Sequence, residues 1–253
     1  MKFKILTYTI SVILIFLSCS SKKDIFYLQN YDTSYDISYD VYTVDIDDIL
    51  KIEINSENPE AVLPYNPKYL SNAATNKDIL LYDGFQINSD GVIFLHSLGK
   101  VKVVGLTLTE IRKKIYDLLV EGGYLTNPSV DVKLLNSSFT LLGEVNKPGR
   151  YDFIKNNLNI FEALGMAGDL TINAVRNDVK IIRTLNKEKA VNSIDLTSSE
   201  LLGSEFFQVK PGDIIIVNPN TARIKNAGVI GNASNLLTLL SFILSSIILI
   251  TNS

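Results

Sequence analysis

The sequence predicts an α+β protein with two mixed modules in its middle and one membrane-spanning helix at its C-terminus. Three observations predict this class. Runs such as Lys51–Ile54 alternate polar and apolar residues, as half-buried strands do. Apolar residues between positions 108 and 119 recur at helical spacing. The stretch Asn235–Ile250 carries no charge and is close to the length that a bilayer requires.

The composition limits the kinds of protein this chain can be. Its 253 residues suffice for one or two domains with a real core. A single cysteine excludes an internal disulfide, and one cysteine with one histidine excludes a metal site built from several such ligands. The formal charge of −3 offers nothing that attracts nucleic acid. We therefore expect no cofactor, no metal and no nucleic-acid partner.

Residues 1–18 are predicted to be a lipoprotein signal peptide. Lys2 and Lys4 precede an apolar run, Ile5–Leu17, that is too short to span a membrane but fits a secretory signal. The run ends at Cys19, which resembles the lipidated cysteine of bacterial lipoproteins. The alternatives are a secretory signal with an incidental cysteine, or a signal anchor.

Residues 19–40 are predicted to be a tyrosine-rich tether between the lipid and the folded body. The alternative is a set of rings that stack on sugars or on a neighbouring subunit. The tyrosines concerned are Tyr27, Tyr31, Tyr35 and Tyr39.

The first module is predicted to cover residues 41–136. A hairpin is expected from Phe85 to Leu95 with its turn at Asn88–Gly91, and a further strand from Val101 to Val104. Thr107 and Glu110 have the spacing of a capping box, which starts a helix that Gly122 and Gly123 end. Residues 130–134 alternate as another strand.

The second module is predicted to cover residues 137–220. A strand at 139–143, a turn at 146–149 and a returning strand at 150–153 precede a short helix capped by Asn159. Strands at 178–183, 191–196 and 214–217 follow. Two strands, a helix and then more strands is the order of a β-grasp fold.

Residues 221–234 read as a polar joint, and residues 235–251 as the transmembrane helix. Hydroxyl residues recur there at steps of four, three and four, which places them on one helical face. This stripe can pack between identical helices, face a water-filled lumen within a ring of helices, or arise by chance. Its members are Ser234, Thr238, Ser241 and Ser245.

Residues suited to catalysis are few. Paired carboxylates carry out glycoside hydrolysis, and Asp45, Asp47 and Asp48 form an acidic cluster. Capping of a turn, or a solvated edge, is the favoured interpretation because Asp48 begins a strand. His96 has no accompanying nucleophile motif. We therefore expect no catalytic residues and no enzymatic activity.

Several short motifs together resemble the polysaccharide export family of outer-membrane proteins. Those of the first module are Tyr42–Val44, Asp48–Ile52, Asp90-Gly91, Leu98-Gly99, Val104–Thr107 and Tyr124–Val130. Those of the second module, which resemble a soluble-ligand-binding β-grasp (SLBB) domain, are Gly143–Val145, Lys147–Gly149, Ala163–Gly168 and Val209–Asp213.

The resemblance implies a function in exporting capsular polysaccharide or exopolysaccharide. It implies a lipid-anchored ring of identical subunits whose body is periplasmic and whose C-terminal helices cross the outer membrane. It also implies an inner-membrane polysaccharide co-polymerase as partner. The alternative is a monomeric envelope lipoprotein that binds glycan or scaffolds partners. A periplasmic glycan-processing enzyme is a third, much weaker alternative.

Overall fold

The computed structural model describes residues 25–30, 41–66, 81, 83–155, 157–185, 188–221, 237–238, 241–242 and 245–246. Two hydrophobic cores account for the described body. One is built from buried residues between Val44 and Val132, the other from buried residues between Phe139 and Val217. Strands outnumber helices in this body, and the α+β class predicted from the sequence is confirmed.

The first core is built around a three-stranded antiparallel sheet. Strand β1 (Ile49–Asn55) lies in its centre, between β2 (Phe85–Gln86) and β5 (Ser129–Leu134). Every second residue of β1 is buried, as expected for a strand with one face against a core. A short helix, α1 (Pro59–Val62), follows β1.

Helix α2 (Leu108–Glu121) covers this sheet. Thr107 and Glu110 form the predicted capping box, in which each side chain accepts from the other residue's backbone amide. Its buried residues are Ile111, Ile115 and Leu119. Gly123, at φ +69°, turns the chain away from the helix, as the two glycines predicted.

The hairpin predicted between Phe85 and Leu95 is wrong in its pairing. Strand β2 pairs with β1, whereas β3 (Val92–Leu95) pairs with β4 (Gly99–Lys102) through a turn that includes Ser97. The chain does turn at Asn88, whose side chain accepts from the amides of Asp90 and Val92. That turn sends β3 to a new partner because the amide of Ile87 is already bonded to the carbonyl of Asp48.

The second core lies against a five-stranded sheet. The elements of the second module are β6 (Ser138–Gly143), β7 (Gly149–Asp152), β8 (Leu158–Asn159), α3 (Ile160–Met166), β9 (Ala174–Leu185), β10 (Glu188–Ile194), a 3-10 helix (Ser199–Gly203), β11 (Gln208–Val209) and β12 (Ile214–Pro219). The strand order of the sheet is β10-β9-β12-β6-β7. Its central strand, β12, runs parallel to β6, and the other neighbours are antiparallel.

Helix α3 begins where the sequence predicts. Asn159 and Glu162 form a second capping box, and Ile160, Ala163 and Leu164 are buried against the sheet. The small pair formed by β8 and β11 holds the start of this helix in place. The helix therefore fills one face of the second core.

No helix within the described ranges is both long and apolar enough to cross a membrane. Six residues of the segment 235–251, for which a transmembrane helix is predicted, fall within those ranges, and all six are helical. They are Leu237, Thr238, Ser241, Phe242, Ser245 and Ser246. The predicted signal peptide lies outside the described residues.

Candidate functional site: the cleft between the two modules

A cleft of about 420 Å³ lies where the two modules meet. This volume is within the range of about 300–1,000 Å³ that is usual for ligand sites. Its walls come from five parts of the chain. They are residues 41–42, three residues at the start of α2 (Leu108, Thr109 and Arg112), residues 131–134 of β5 with Ser137, residues 153–155 with Asn157, and Pro211.

The first-module wall carries two cations around one carboxylate. On α2, Leu108 and Arg112 are four residues apart and share one face, and both line the cleft. On β5, Asp131 and Lys133 point outward because the alternate residues face the core. Asp131 Oδ1 lies 3.7 Å from Arg112 Nη2, and its Oδ2 lies 3.0 Å from Lys133 Nζ.

The ion pairs of Asp131 with Arg112 and Lys133 can be broken at a small cost in free energy. The hydrogen bond from Lys133 holds the pKa of Asp131 below its usual range, and the charge of Arg112 adds to this effect. All three side chains are 41–62 % exposed. Exposed ion pairs contribute little to stability, so either cation can turn from Asp131 to an incoming anion.

The second-module wall combines an aromatic ring, an apolar side chain and a third cation. The ring of Phe153 packs against Phe139 in the core, with 6.0 Å between ring centroids. Ile154 is 90 % exposed. Lys155 lies 2.5 Å from the carboxylate of Glu162, the capping residue of α3, and this contact lowers the pKa of Glu162.

Tyr42 lines the cleft on the first-module side, and its hydroxyl group is committed to a buried carboxylate. The hydroxyl donates to Asp48 Oδ2 over 2.8 Å, and the amide of Asp45 donates to the same oxygen over 2.9 Å. Burial raises the pKa of Asp48 and that of Tyr42. Asp45 itself caps the amide of Ile46. The interpretation of this acidic cluster as turn capping is confirmed for Asp45 and Asp48.

The cleft can hold a polar or anionic chain by exchangeable contacts. Arg112, Lys133 and Lys155 provide hydrogen-bond donors, and Asp131 is the carboxylate among the lining residues. Among the described residues, no three His, Cys, Asp or Glu side chains are grouped so that they could hold a metal ion. His96, which has no accompanying nucleophile motif in the sequence, lies exposed in the turn between β3 and β4.

Tyr27 lies against the second module, away from the cleft. Its hydroxyl donates to Asp169 Oδ1 over 2.6 Å, and its ring packs edge-on against Phe161. Burial and the hydrogen bond to Asp169 raise the pKa of Tyr27. The tether predicted for residues 19–40 therefore includes a docked segment at 25–30.

The hydroxyl stripe is partly described. Ser241 donates its hydroxyl to the carbonyl of Thr238, and Ser245 donates to the carbonyl of Ser241. Thr238, Ser241 and Ser245 are exposed. The remaining predicted site residues lie outside the described ranges. They are Cys19, Tyr31, Tyr35, Tyr39 and Ser234.

The sequence did not single out the charged residues of the cleft. Arg112 belongs to a helix and Lys133 to a strand, and each has the ordinary appearance of a solvated position. Arg112 and Lys133 come together because α2 packs against β5, and Lys155 joins them where the second module meets the first. The sequence carries no spacing that signals this arrangement.

Residues 38–135 match the family described as polysaccharide biosynthesis/export protein. The chain is also similar to two curated relatives from Escherichia coli, both named polysialic acid transport protein KpsD. Each is 25 % identical over 173 residues, which is 65 % of this chain and 30 % of the relative. The chain thus matches less than a third of the length of these relatives.

Proposed function

Because residues 38–135 match the polysaccharide biosynthesis/export family, we propose that the chain takes part in exporting a polysaccharide across the cell envelope. The family match is the observation that carries this proposal. The names of the two KpsD relatives, which describe transport of polysialic acid, support it. The family's description concerns biosynthesis and export, and we propose that this chain has a passive role with no enzymatic step.

The proposed working form is a ring of identical subunits in the outer membrane, with the body in the periplasm. Cys19 carries the lipid, and residues 235–251 supply one helix each to a hydrated channel. A single helix cannot enclose water, so a lumen requires several copies. The channel would receive capsular polysaccharide or exopolysaccharide with an inner-membrane co-polymerase as partner. The second candidate is a monomeric lipoprotein that binds glycan or scaffolds envelope partners.

The second module is proposed to be a β-grasp domain of the soluble-ligand-binding type. Its first strand, β6, lies parallel to its last strand, β12, in the centre of the sheet. β6 forms a hairpin with β7 on one side of this pair, and the hairpin of β9 and β10 lies on the other side, where β9 pairs with β12. Helix α3 follows the first hairpin, which is the order that the sequence predicted.

We assign the cleft a part in holding the polymer in transit. The cations Arg112, Lys133 and Lys155 outnumber the single carboxylate of Asp131 among its charged lining residues. An acidic sugar unit fits this balance, and polysialic acid, named for the relatives, is an acidic polymer. Because the ion pairs are exposed and weak, each contact can be replaced as the polymer moves.

The cleft is tested by neutralising its cations. We expect the triple variant Arg112→Gln, Lys133→Gln, Lys155→Gln to lose most of its affinity for an acidic oligosaccharide, measured by titration calorimetry at low and high salt. Lys113→Gln is the matched control, because Lys113 lies on α2 outside the cleft and pairs with Asp117. Equal affinity in the triple variant and the control would remove this role from the cleft.

The channel is tested by the mass and shape of the detergent-extracted mature protein. We expect native mass spectrometry and electron microscopy to show a closed ring with a continuous lumen, and a chain cut after Ile230 to lose it. A monomer or small dimer in several mild detergents would favour the anchored binding or scaffold alternative. Surface polysaccharide in a deletion strain tests export itself.

A further inference from the structure

The N-terminal segment at residues 25–30 is held on the second module along a strip of backbone. The amides of Leu28 and Gln29 donate to the carbonyls of Leu196 and Thr197 over 3.1 and 2.6 Å. The amide of Ser199 donates back to the carbonyl of Gln29. The chain therefore reaches the folded body at the second module, before it enters the first.

The described body ends beside the same place. Pro219, the last residue of β12, pairs with Ala174 at the start of β9, and the amide of Asn220 donates to the carbonyl of Asn173 over 2.7 Å. Arg176 connects the two points. Its guanidinium group donates to the carbonyl of Ala174 and lies 5.5 Å from the centre of the Tyr27 ring.

Two large apolar side chains stand exposed where the chain enters and leaves. Phe26 precedes the docked Tyr27, and its side chain is 57 % exposed. Ile172 precedes Asn173 in the loop before β9, and it is 65 % exposed. The guanidinium group of Arg176 also donates to the carbonyl of Thr171, so the Ile172 loop is tied to the same cluster.

We propose that this end of the second module, marked by Phe26 and Ile172, rests against the lipid surface of the membrane that anchors the chain. The inference rests on the proposed anchoring through Cys19 and residues 235–251. The segment that leads to Cys19 and the segment that leads to residues 235–251 both leave the body at this end of the second module. Neither proposed membrane attachment leaves from the first module.

The reach of the chain limits how far this end can lie from the lipid. Ile25 follows Cys19 by six positions, and an extended chain of that length spans about 20 Å. A lipid on Cys19 therefore keeps the docked segment within about 20 Å of the bilayer surface. Within this limit, large apolar side chains can reach the headgroup boundary. Their transfer out of water is favourable there, as it is for the apolar faces of interfacial segments.

Site-specific fluorescence in vesicles tests the contact. Phe26→Cys and Ile172→Cys are made in the full mature chain, labelled with a small environment-sensitive fluorophore and reconstituted into vesicles of phosphatidylethanolamine and phosphatidylglycerol. The lipid on Cys19 occupies its sulfur, so only the introduced thiol takes the label. The unsubstituted chain is the labelling control.

The comparison sites have similar exposure but lie elsewhere. Val191→Cys is made at a position that is 64 % exposed in β10, opposite Ile182, which is about 26 Å along β9 from Ala174. Leu63→Cys is made at a position that is 67 % exposed in the first module. We expect nitroxide-bearing lipids to quench the labels at positions 26 and 172 several-fold more than the labels at 191 and 63.

The outcomes separate this proposal from the anchoring on which it rests. In a flotation gradient, protein that rises with the vesicles is anchored. If such protein showed the same weak quenching at all four positions, the membrane contact would be overturned and the anchoring would stand. A chain that takes up label at Cys19 and fails to float with vesicles would overturn both. Normal export of polysaccharide in either case would leave the export function standing.

Discussion

At the residue scale, the second module depends on one ion pair that is almost wholly shielded from water. Arg183 and Asp213 are 3 % and 1 % exposed, and two guanidinium nitrogens reach the two carboxylate oxygens at 3.0 and 2.8 Å. Arg183 also donates to the carbonyls of Glu205 and Gln208. Asp213 accepts from the amide of Lys210, which closes the turn before β12.

We expect Asp213→Asn to lower the free energy of unfolding by about 3–5 kcal/mol, because it leaves a buried guanidinium group without its countercharge. Urea denaturation at neutral pH measures this. Asp178→Asn is the control, since Asp178 pairs with Lys180 on the same sheet but is 46 % exposed. We expect it to change the urea midpoint little, and similar losses in the two variants would contradict the argument from burial.

Asp48 gives a pH dependence of known sign. Burial raises its pKa in the folded protein above the unfolded value, so its contribution to stability is fully present below the unfolded pKa and is lost as pH rises through the folded pKa. The amide side chain introduced by Asp48→Asn does not titrate. We therefore expect the variant to gain stability relative to the natural chain as pH rises from about 3 to 7.

Asp178 provides a control of opposite sign for this measurement. The hydrogen bond from Lys180 lowers the pKa of Asp178, so its contribution to stability is present above the unfolded pKa and is lost as pH falls through the folded pKa. As pH rises, the urea midpoint of Asp48→Asn should therefore rise relative to that of the natural chain, and that of Asp178→Asn should fall by a small amount, because Asp178 is exposed. Parallel slopes would show that at least one of the two shifts does not arise as described.

At the element scale, the parallel pairing of β6 with β12 depends on one glycine. Gly143 ends β6 at φ +92°, a conformation that side chains other than hydrogen disfavour. A Cβ atom there would lie 2.0 Å from the carbonyl oxygen of Val217. That oxygen also accepts the amide of Glu144, so the backbone has no room to withdraw.

We expect Gly143→Ala to destabilise the protein by about 3 kcal/mol or more, from the backbone strain and the clash together. Gly149→Ala is its matched control at the start of β7, where a Cβ atom would meet nothing within 4 Å. That variant should stay within about 0.5 kcal/mol of the natural chain. Thermal unfolding of the two variants gives the comparison, and equal midpoints would refute the role of Gly143.

At the scale of the whole molecule, the hydroxyl stripe is expected either to line the lumen of the proposed channel or to pack between neighbouring helices. If the stripe faces the lumen, Ser241→Leu should place an apolar side chain in the path of a polar polymer and block export. Ser246 is the control on the same segment, since its hydroxyl donates to the carbonyl of Phe242 and it stands outside the stripe. We expect Ser246→Leu to export normally, as measured by surface polysaccharide.

Native mass spectrometry of the Ser241→Leu protein separates the alternatives for the stripe. An intact ring that no longer exports indicates a lumen-facing stripe. A ring that falls apart indicates close packing between helices, where small residues allow neighbouring backbones to approach. Unchanged export and an intact ring would remove both roles.

The sequence alone was sufficient for features that depend on near neighbours. The capping boxes at Thr107 and Asn159, the glycines that end α2, and the strands of the second module each follow from residues within a few positions of one another. Their spacing sets the local hydrogen bonds, and those bonds appear as predicted. The family resemblance also depended on the order of such short motifs, and the match over residues 38–135 supports it for the first module.

Tertiary structure decided the features that depend on distant partners. The turn at Asn88 was predictable, but the partner of the strand after it was not, because β1 had already bonded Ile87 through the carbonyl of Asp48. The sequence predicts that Tyr27 belongs to a tether, whereas in the fold its side chain contacts Asp169 and Phe161 of the second module. Arg112 and Lys133 come together only when α2 packs against β5, and Lys155 joins them only where the two modules meet. Contacts between residues a hundred positions apart follow from how the cores pack, which local spacing does not encode.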